Sequence, residues 1–469
     1  MLKTEELTHL LLQNLGFTPT PDQERAVYIL SRFLLSDKSR CAFLLRGYAG
    51  TGKTSLMKAL VLSSRAVKMK TFLMSPTGRA AKVLQMYTSK AAFTIHKSIY
   101  FRQVSKEGVA RFVLKKNLHT NTIFIVDEAS MISDVSSFSE TGLLEDMILY
   151  VFSGKNCRLL IIGDQAQLPP VHLDISPALD EDVLRDNYNL IIAKHEMTQV
   201  MRQQLGSGIL SYATEIRNSL LKEDYSLPEP PYEDFNDLIK IDYSDLQDEM
   251  EKCIRDYGID NVKILTRSNK TANQYNQQIR REVMWLEEDI ATEDQLMIVK
   301  NNYHWIEDNE RIGFLANGDM LEVQKIGNRS RMYGLNFCDA TLKLTDYKEE
   351  DTIDCKMLLD TLMVNGPSLP GETMSALYQA VSADYADEPS RKKRRELIKN
   401  DPWLNALQVK FSYAITCHKA QGGQWPIIFI DRGYFTDDML DKSYLRWLYT
   451  ALTRATKKVY FVNFKMIEI

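Results

Sequence analysis

The sequence reads as an α/β protein built of two parallel-sheet lobes, and three observations carry that reading. Short runs of strand length alternate with helical stretches along most of the 469 residues. The runs are apolar throughout rather than alternating, as expected of strands covered by helices on both faces. The rhythm occurs twice, on either side of a loop-like segment, SLPEPPYEDF.

In the first half the candidate strands are 41–45, 71–74, 122–126, 158–162 and 190–193. In the second half they are 262–266, 411–416, 427–431 and 459–462. The expected organisation is a first lobe over 1–204, a joint over 205–260 and a second lobe over 261–469. Two segments break the rhythm. Residues 99–114 form two runs around a glycine-bearing turn, which predicts a β-hairpin inserted in the first lobe. Residues 315–403 start with few helical periods and end in charge, as an insertion in the second lobe would. Inside it lies RKKRRE, either a solvated helix face or a phosphate contact.

Composition removes several classes of function. With 44% apolar and 26% charged residues, the chain is not disordered, collagenous or coiled coil. Lys and Arg number 58 against 62 Asp and Glu, which excludes a histone-like coat but not a basic groove on a neutral body. No apolar stretch approaches the ~20 residues of a spanning helix, so no membrane partner is expected. The opening MLKTEELTHLLLQNLGF lacks the pattern of a secretory signal. The six cysteines form no C-x-x-C pair, so no zinc or redox motif is suggested. They fit a reducing compartment, and a cytoplasmic protein is expected.

The strongest local signal is Gly47-Tyr-Ala49-Gly50-Thr51-Gly52-Lys53-Thr54, between an apolar run and a helical stretch that opens at Ser55. It matches the phosphate-binding pattern G-x-x-x-x-G-K-[ST]. Its glycines let backbone N–H groups face phosphate oxygens, and the following helix offers the positive end of its dipole. Lys53 should reach the β- and γ-phosphates, and the Thr54 hydroxyl should hold Mg²⁺. The run Ile123-Phe-Ile-Val ends in Asp127 and Glu128. Strand ends in such sheets face the ligand crevice. Asp127 is placed to hold Mg²⁺, and Glu128 to act as general base on the attacking water.

A third run ends in Gly163-Asp164-Gln165-Ala-Gln167-Leu-Pro169-Pro170-Val. This segment resembles motif III of the superfamily 1 helicases, above all the 5′→3′ branch of RecD-like and Dda-like enzymes. The other motifs of that family follow in order. Thr20-Pro-Asp-Gln23 resembles the Gln motif, Ser75-Pro76-Thr77-Gly78-Arg79 motif Ia and Thr94-Ile-His96 motif Ib. Thr198-Gln-Val-Met-Arg202-Gln203 resembles motif IV, Thr416-Cys-His418-Lys419-Ala-Gln421-Gly422 motif V and Tyr449-Thr-Ala-Leu-Thr453-Arg454 motif VI. One departure is Gln424-Trp425, where many relatives carry an acidic or small residue.

The resemblance implies two RecA-like lobes, ATP with Mg²⁺, and translocation on single-stranded DNA, 5′→3′, with unwinding of duplex. It also implies an adenine-reading role for Gln23. Arginine fingers are then Arg202, near the joint, and Arg454, in the second lobe, so hydrolysis requires lobe closure. Gln167 would link the γ-phosphate to the DNA path. DNA contacts are expected at Pro76, Thr77, Arg79, Thr94 and His96, and at Thr416, His418 and Lys419. The hairpin is either a surface decoration or a wedge at the duplex junction, with Phe101 as an aromatic able to stack on a base. Asn317-Gly318-Asp319 resembles the turn opening a small β-barrel in Dda-like relatives; a plain turn within the lobe is the other reading. Alternative activities are a RecD-like motor subunit of a recombination nuclease complex, and a DNA-dependent ATPase that displaces bound protein. Expected partners are single-stranded DNA, its junctions with duplex, a single-strand-binding protein and recombination-complex subunits.

Overall fold

The computed structural model describes residues 2–104, 110–134, 141–200, 206–306, 314–345 and 352–464. The first lobe holds β1 (Cys41–Gly47), β2 (Lys70–Ser75), β3 (Ala92–Thr94), β4 (Tyr100–Val104), β5 (Ala110–Leu114), β6 (Thr120–Val126), β7 (Lys155–Gly163) and β8 (Ile191–Met197). Six of them form one sheet in the order β3-β2-β6-β7-β1-β8, and every pairing in it is parallel. Ile123, Phe124, Ile125 and Val126 are all buried, because helices cover both faces. The order places the ends of β6, β7 and β1 side by side. Those three ends carry the acidic pair, the Gly163-Asp164 turn and the phosphate loop.

β4 and β5 pair antiparallel as the expected hairpin, with Phe101 opposite Val113. It begins one residue later than expected, since Ile99 closes the short helix Ile95–Ile99. Its turn, 105–109, lies outside the described residues.

The second lobe contains β9 (Leu238–Ile241), β10 (Val262–Thr266), β11 (Gln295–Ile298), β12 (Met320–Met332), β13 (Leu335–Leu344), β14 (Thr352–Leu358), β15 (Leu407–Phe411), β16 (Ala414–Thr416), β17 (Trp425–Asp431) and β18 (Ala455–Val462). A parallel sheet runs β16-β10-β17-β18-β9, and β11 to β15 close a barrel. The chain therefore has two parallel-sheet RecA-like lobes, a hairpin in the first and a β-barrel in the second. The Asn317-Gly318-Asp319 turn leads into β12, with Gly318 at φ 97° and Asp319 Oδ2 accepting from the Ala316 amide at 2.8 Å.

Three boundaries differ from expectation. The stretch read as a joint supplies β9, the edge of the second sheet. Four residues are too short to announce a strand without its partner β18. The run 411–416 is two strands, parted at Ser412-Tyr413: β15 pairs in the barrel and β16 in the lobe sheet. The barrel also reaches beyond 315–403, because closure recruits β11 and β15 as antiparallel partners, and that pairing is set by contacts between distant segments.

Candidate ATP cleft and lobe seam

A cleft of about 1170 Å³ opens at the ends of β1, β6 and β7, and both lobes line it. Gly50, Gly52, Lys53, Thr54, Ser55, Asp127, Glu128 and Gln167 come from the first lobe and Arg454 from the second. Gly50 at φ 74° and Gly52 at φ 93° hold the left-handed conformations that curl the loop. The helix Lys53–Ser63 starts directly from Gly52. Lys53 Nζ donates to the carbonyls of Gly47 (2.6 Å) and Tyr48 (2.8 Å), so its ammonium already sits at the mouth of the loop. Thr51 is fully buried and its hydroxyl donates to Tyr48 O at 2.8 Å, bracing the loop from inside.

Glu128 is a non-glycine residue at φ 56°, an unusual backbone state that turns it away from the strand direction. Burial, reinforced by the neighbouring Glu128 charge, pushes the Asp127 carboxyl up to about 7. Two crowded carboxylates beside a phosphate loop and the Thr54 hydroxyl suit a hard divalent cation. Gln167 is buried, and its Oε1 has no hydrogen-bond partner among the described residues while its side chain lines the cleft. A buried orphan acceptor calls for a donor, such as a water poised at the γ-phosphate. The donor set thus fits Mg²⁺ with a nucleoside triphosphate. Among the described residues no group of three or more His, Cys, Asp or Glu is placed to hold a metal ion by itself.

The second lobe completes the cleft. Arg454 is only 3% exposed, and its Nη1 lies 3.9 Å from Glu128 Oε1. Its guanidinium is aimed by Thr450 O (3.1 Å), Gly423 O (3.3 Å) and Thr453 Oγ1 (3.2 Å). The Ala49 amide donates to Tyr449 Oη at 2.9 Å, and Tyr449 donates to Asp164 Oδ2 at 2.7 Å. The Leu168 amide donates to Thr450 Oγ1 (2.9 Å), and Gln421 Nε2 donates to Leu168 O (2.7 Å). The Gly163–Pro170 segment is thereby hydrogen-bonded to two elements of the other lobe. Neither Tyr449 nor Asp164 stood out in the sequence, although both lie inside quoted motifs. Leu15 and Phe17, which also line the cleft, were missed too; only their position shortly before Gln23 could have signalled them.

Several expected residues have other partners. Gln23 donates from Nε2 to Thr51 O at 2.9 Å and accepts from the Thr20 amide at 3.0 Å, so its amide props the phosphate loop. Arg202 lies outside the described residues. Thr77 and Thr94 cap the helices Gly78–Thr88 and Ile95–Ile99, accepting from Ala80 N and Lys97 N, each at 3.2 Å. Thr94 and Thr416 are buried, so their hydroxyls are not presented at the surface. Burial lowers His96 to about 4, so it is neutral at pH 7, and its ring centroid lies 5.9 Å from that of Tyr100. His418 is exposed, and Pro76 and Lys419 are half-buried. Lys419 Nζ has no hydrogen-bond partner among the described residues.

Arg79 faces the seam rather than solvent. Its guanidinium lies over the Trp425 ring at 4.7 Å and its Nη2 donates to Gln424 O at 3.4 Å. The departure at Gln424-Trp425 is thus a lobe-to-lobe contact. Beside it Gly422 is at φ 73°, and a Cβ there would come within 2.6 Å of Ala80 Cβ, so the seam needs glycine.

Phe101 is 43% exposed on β4, whereas its neighbour Tyr100 is buried and donates to Asp146 Oδ2 at 2.6 Å. On β5, the Phe112 ring packs tilted against Tyr303 (centroids 5.0 Å apart), which packs tilted against Phe314 (5.0 Å), so the second lobe supports the hairpin.

Fold and site together define a two-lobed phosphate-loop ATPase whose candidate nucleotide cleft lies between the lobes. Residues 20–224 match the family described as AAA domain, and residues 411–462 the one described as UvrD-like helicase C-terminal domain. The chain is 31% identical over 128 residues to the ATP-dependent RecD2 DNA helicase of Deinococcus radiodurans, 27% of this chain and 16% of that one. It is 29% identical over 209 residues to the ATP-dependent DNA helicase dda of Enterobacteria phage T4, 42% of each chain. It is 24% identical over 434 residues to the ATP-dependent DNA helicase Pif1 of Campylobacter jejuni, 88% of this chain and 86% of that one. The two matched families and these relatives support a superfamily 1 helicase of the RecD/Dda/Pif1 type. Among the described residues no helix is long and apolar enough to cross a membrane.

Proposed function

We propose that this chain couples hydrolysis of Mg²⁺-bound ATP to 5′→3′ translocation on single-stranded DNA and separates duplex at a junction. The observation that carries the reading is Arg454, a second-lobe guanidinium 3.9 Å from the first-lobe Glu128. Glu128 takes the proton of the attacking water, and Gln167 orients that water. Lys53 and Arg454 stabilise charge developing on the γ-phosphate, with Arg202 as a second finger. Thr54 and Asp127 hold Mg²⁺, which neutralises phosphate charge when bound. Because the finger comes from the other lobe, each hydrolysis event follows closure and each product release permits opening.

Pro76, Thr77 and the helix opened by Thr94 form the DNA track of the first lobe. The helix opened by Thr416, with His418 and Lys419, forms that of the second. Both tracks begin with T-x-H at the end of an edge strand, β3 and β16, so two similar grips move as the lobes close. Phe101, exposed on a hairpin propped from the other lobe, is the residue placed to meet the junction.

The test is unwinding of labelled duplexes with a 5′ or a 3′ single-stranded tail. Unwinding of the 5′-tailed substrate alone is expected. Unwinding of the 3′-tailed one would reverse the polarity. ATPase activity indifferent to single-stranded DNA would remove the motor assignment.

A further inference from the structure

The helix Arg391–Lys399 has no role in the hydrolytic cycle, yet it concentrates charge in a chain of net −4. Its nine residues, RKKRRELIK, hold six Lys or Arg and one Glu. Arg391, Lys392, Lys393 and Arg395 are exposed, and Ile398 is the buried anchor. Lys393 pairs with Glu388 at 2.9 Å. Arg391, Lys392 and Arg394 have no carboxylate partner among the described residues. Like charges at such spacing repel within a helix. The cluster therefore costs stability and is relieved by a polyanion.

Its position says which polyanion. The preceding helix Gly371–Asp384 packs Leu377 and Val381 against Leu335, Phe337 and Leu358 of the barrel. The basic helix ends at Lys399, whose carbonyl accepts from Asn405 Nδ2 at 2.7 Å. Asn405 O in turn accepts from Asn302 Nδ2 (2.7 Å) and Trp305 Nε1 (2.8 Å). Between those two residues lies Tyr303, whose ring packs against Phe112 of the hairpin. A continuous set of contacts thus joins the basic helix to the element that meets the junction. The helix carries no aromatic residue, whereas a single-strand platform pairs basic groups with stacking rings. A surface of cations alone reads backbone phosphates. Nine residues of helix span ~13 Å, a length over which duplex DNA presents about eight charges.

We propose that the helix Arg391–Lys399 binds the phosphate backbone of the duplex arm ahead of the hairpin. This rests on the helicase reading above. The triple variant Arg391→Gln, Lys392→Gln, Arg394→Gln removes the three cations and keeps good helix formers. Binding of a 5′-tailed duplex, and of the same tail as a single strand, is measured against KCl concentration. The expected result is at least about a tenfold loss of tailed-duplex affinity, with the log K against log salt slope falling by ~2–3. Single-strand affinity and single-strand-stimulated ATPase should be unchanged. The charge-conserving pair Arg391→Lys, Arg394→Lys should bind like the wild type. Wild-type duplex affinity and slope in the triple variant would overturn the proposal, as would an equal loss for the single strand. A wild-type protein whose ATPase ignores single-stranded DNA would instead remove the helicase reading, and the proposal with it.

Discussion

Tyr449 of the second lobe donates a 2.7 Å hydrogen bond to Asp164 of the first, and the same phenol oxygen accepts from the Ala49 amide of the phosphate loop. Burial, with Asp164 beside it, holds the phenol well above its ordinary value, so it stays a donor. One side chain therefore joins the phosphate loop, the Gly163–Pro170 segment and the other lobe. Tyr449→Phe leaves Asp164 Oδ2 and the Ala49 N–H without this partner, a cost of ~1–3 kcal/mol. The single-strand-stimulated kcat should fall about tenfold or more while the unstimulated rate changes little. Steady-state ATPase with and without oligonucleotide checks this, and an unchanged stimulation factor would take Tyr449 out of the coupling.

Lys53→Ala should abolish turnover, because the phosphates lose the fixed cation of the first lobe. Glu128→Gln should retain nucleotide binding and lose at least ~10²-fold in kcat, since an amide cannot accept the water's proton. A fluorescent ATP analogue reads binding and phosphate release reads chemistry. Turnover in both variants would refute the cleft assignment.

Arg454→Ala should lower kcat by ~10³-fold or more with a far smaller change in KM. The guanidinium is held 3.9 Å from Glu128, and the proposed mechanism has it act on charge that develops during the reaction. A change confined to KM would make Arg454 a ground-state binding residue.

Burial, with Lys410 nearby, lowers Lys419 from 10.5 to about 8. The folded value lies below the unfolded one, so this group makes folding more favourable as pH rises from about 8 towards 10.5. The phosphate attraction runs the other way, since the amine is charged only below about 8. Single-strand affinity should therefore weaken between pH 7 and 9, and Lys419→Arg should flatten that dependence. An identical pH profile in the variant would mean Lys419 does not touch phosphate.

Tyr303→Ala removes the ring that supports Phe112 of the hairpin. Single-strand-stimulated ATPase should persist, while strand separation per ATP falls severalfold. Replacing residues 103–110 by a short glycine-containing turn should do the same. Wild-type unwinding in both would leave the hairpin as decoration.

By itself the sequence determined the two lobes and the phosphate-loop and acidic residues that line the cleft. The loop Gly47–Thr54 and the acids Asp127 and Glu128 are local in origin, each set by one strand and the turn that ends it. Those turns meet because parallel strands β1, β6 and β7 must be neighbours to bury their apolar faces. The hairpin was legible for the same reason, as two runs and their turn are adjacent in sequence. Only the tertiary structure decided what the polar side chains do at the seam. Gln23 props the loop rather than facing the cleft, Arg79 lies over Trp425, and the hydroxyls of Thr94 and Thr416 are buried. Tyr449 reaches a loop 400 residues earlier. β9 and β11 become strands only once β18 and β15 lie beside them. Hydrogen-bond partners of this kind depend on which surfaces the packed lobes bring within 3 Å, and no periodicity in a single chain encodes that distance.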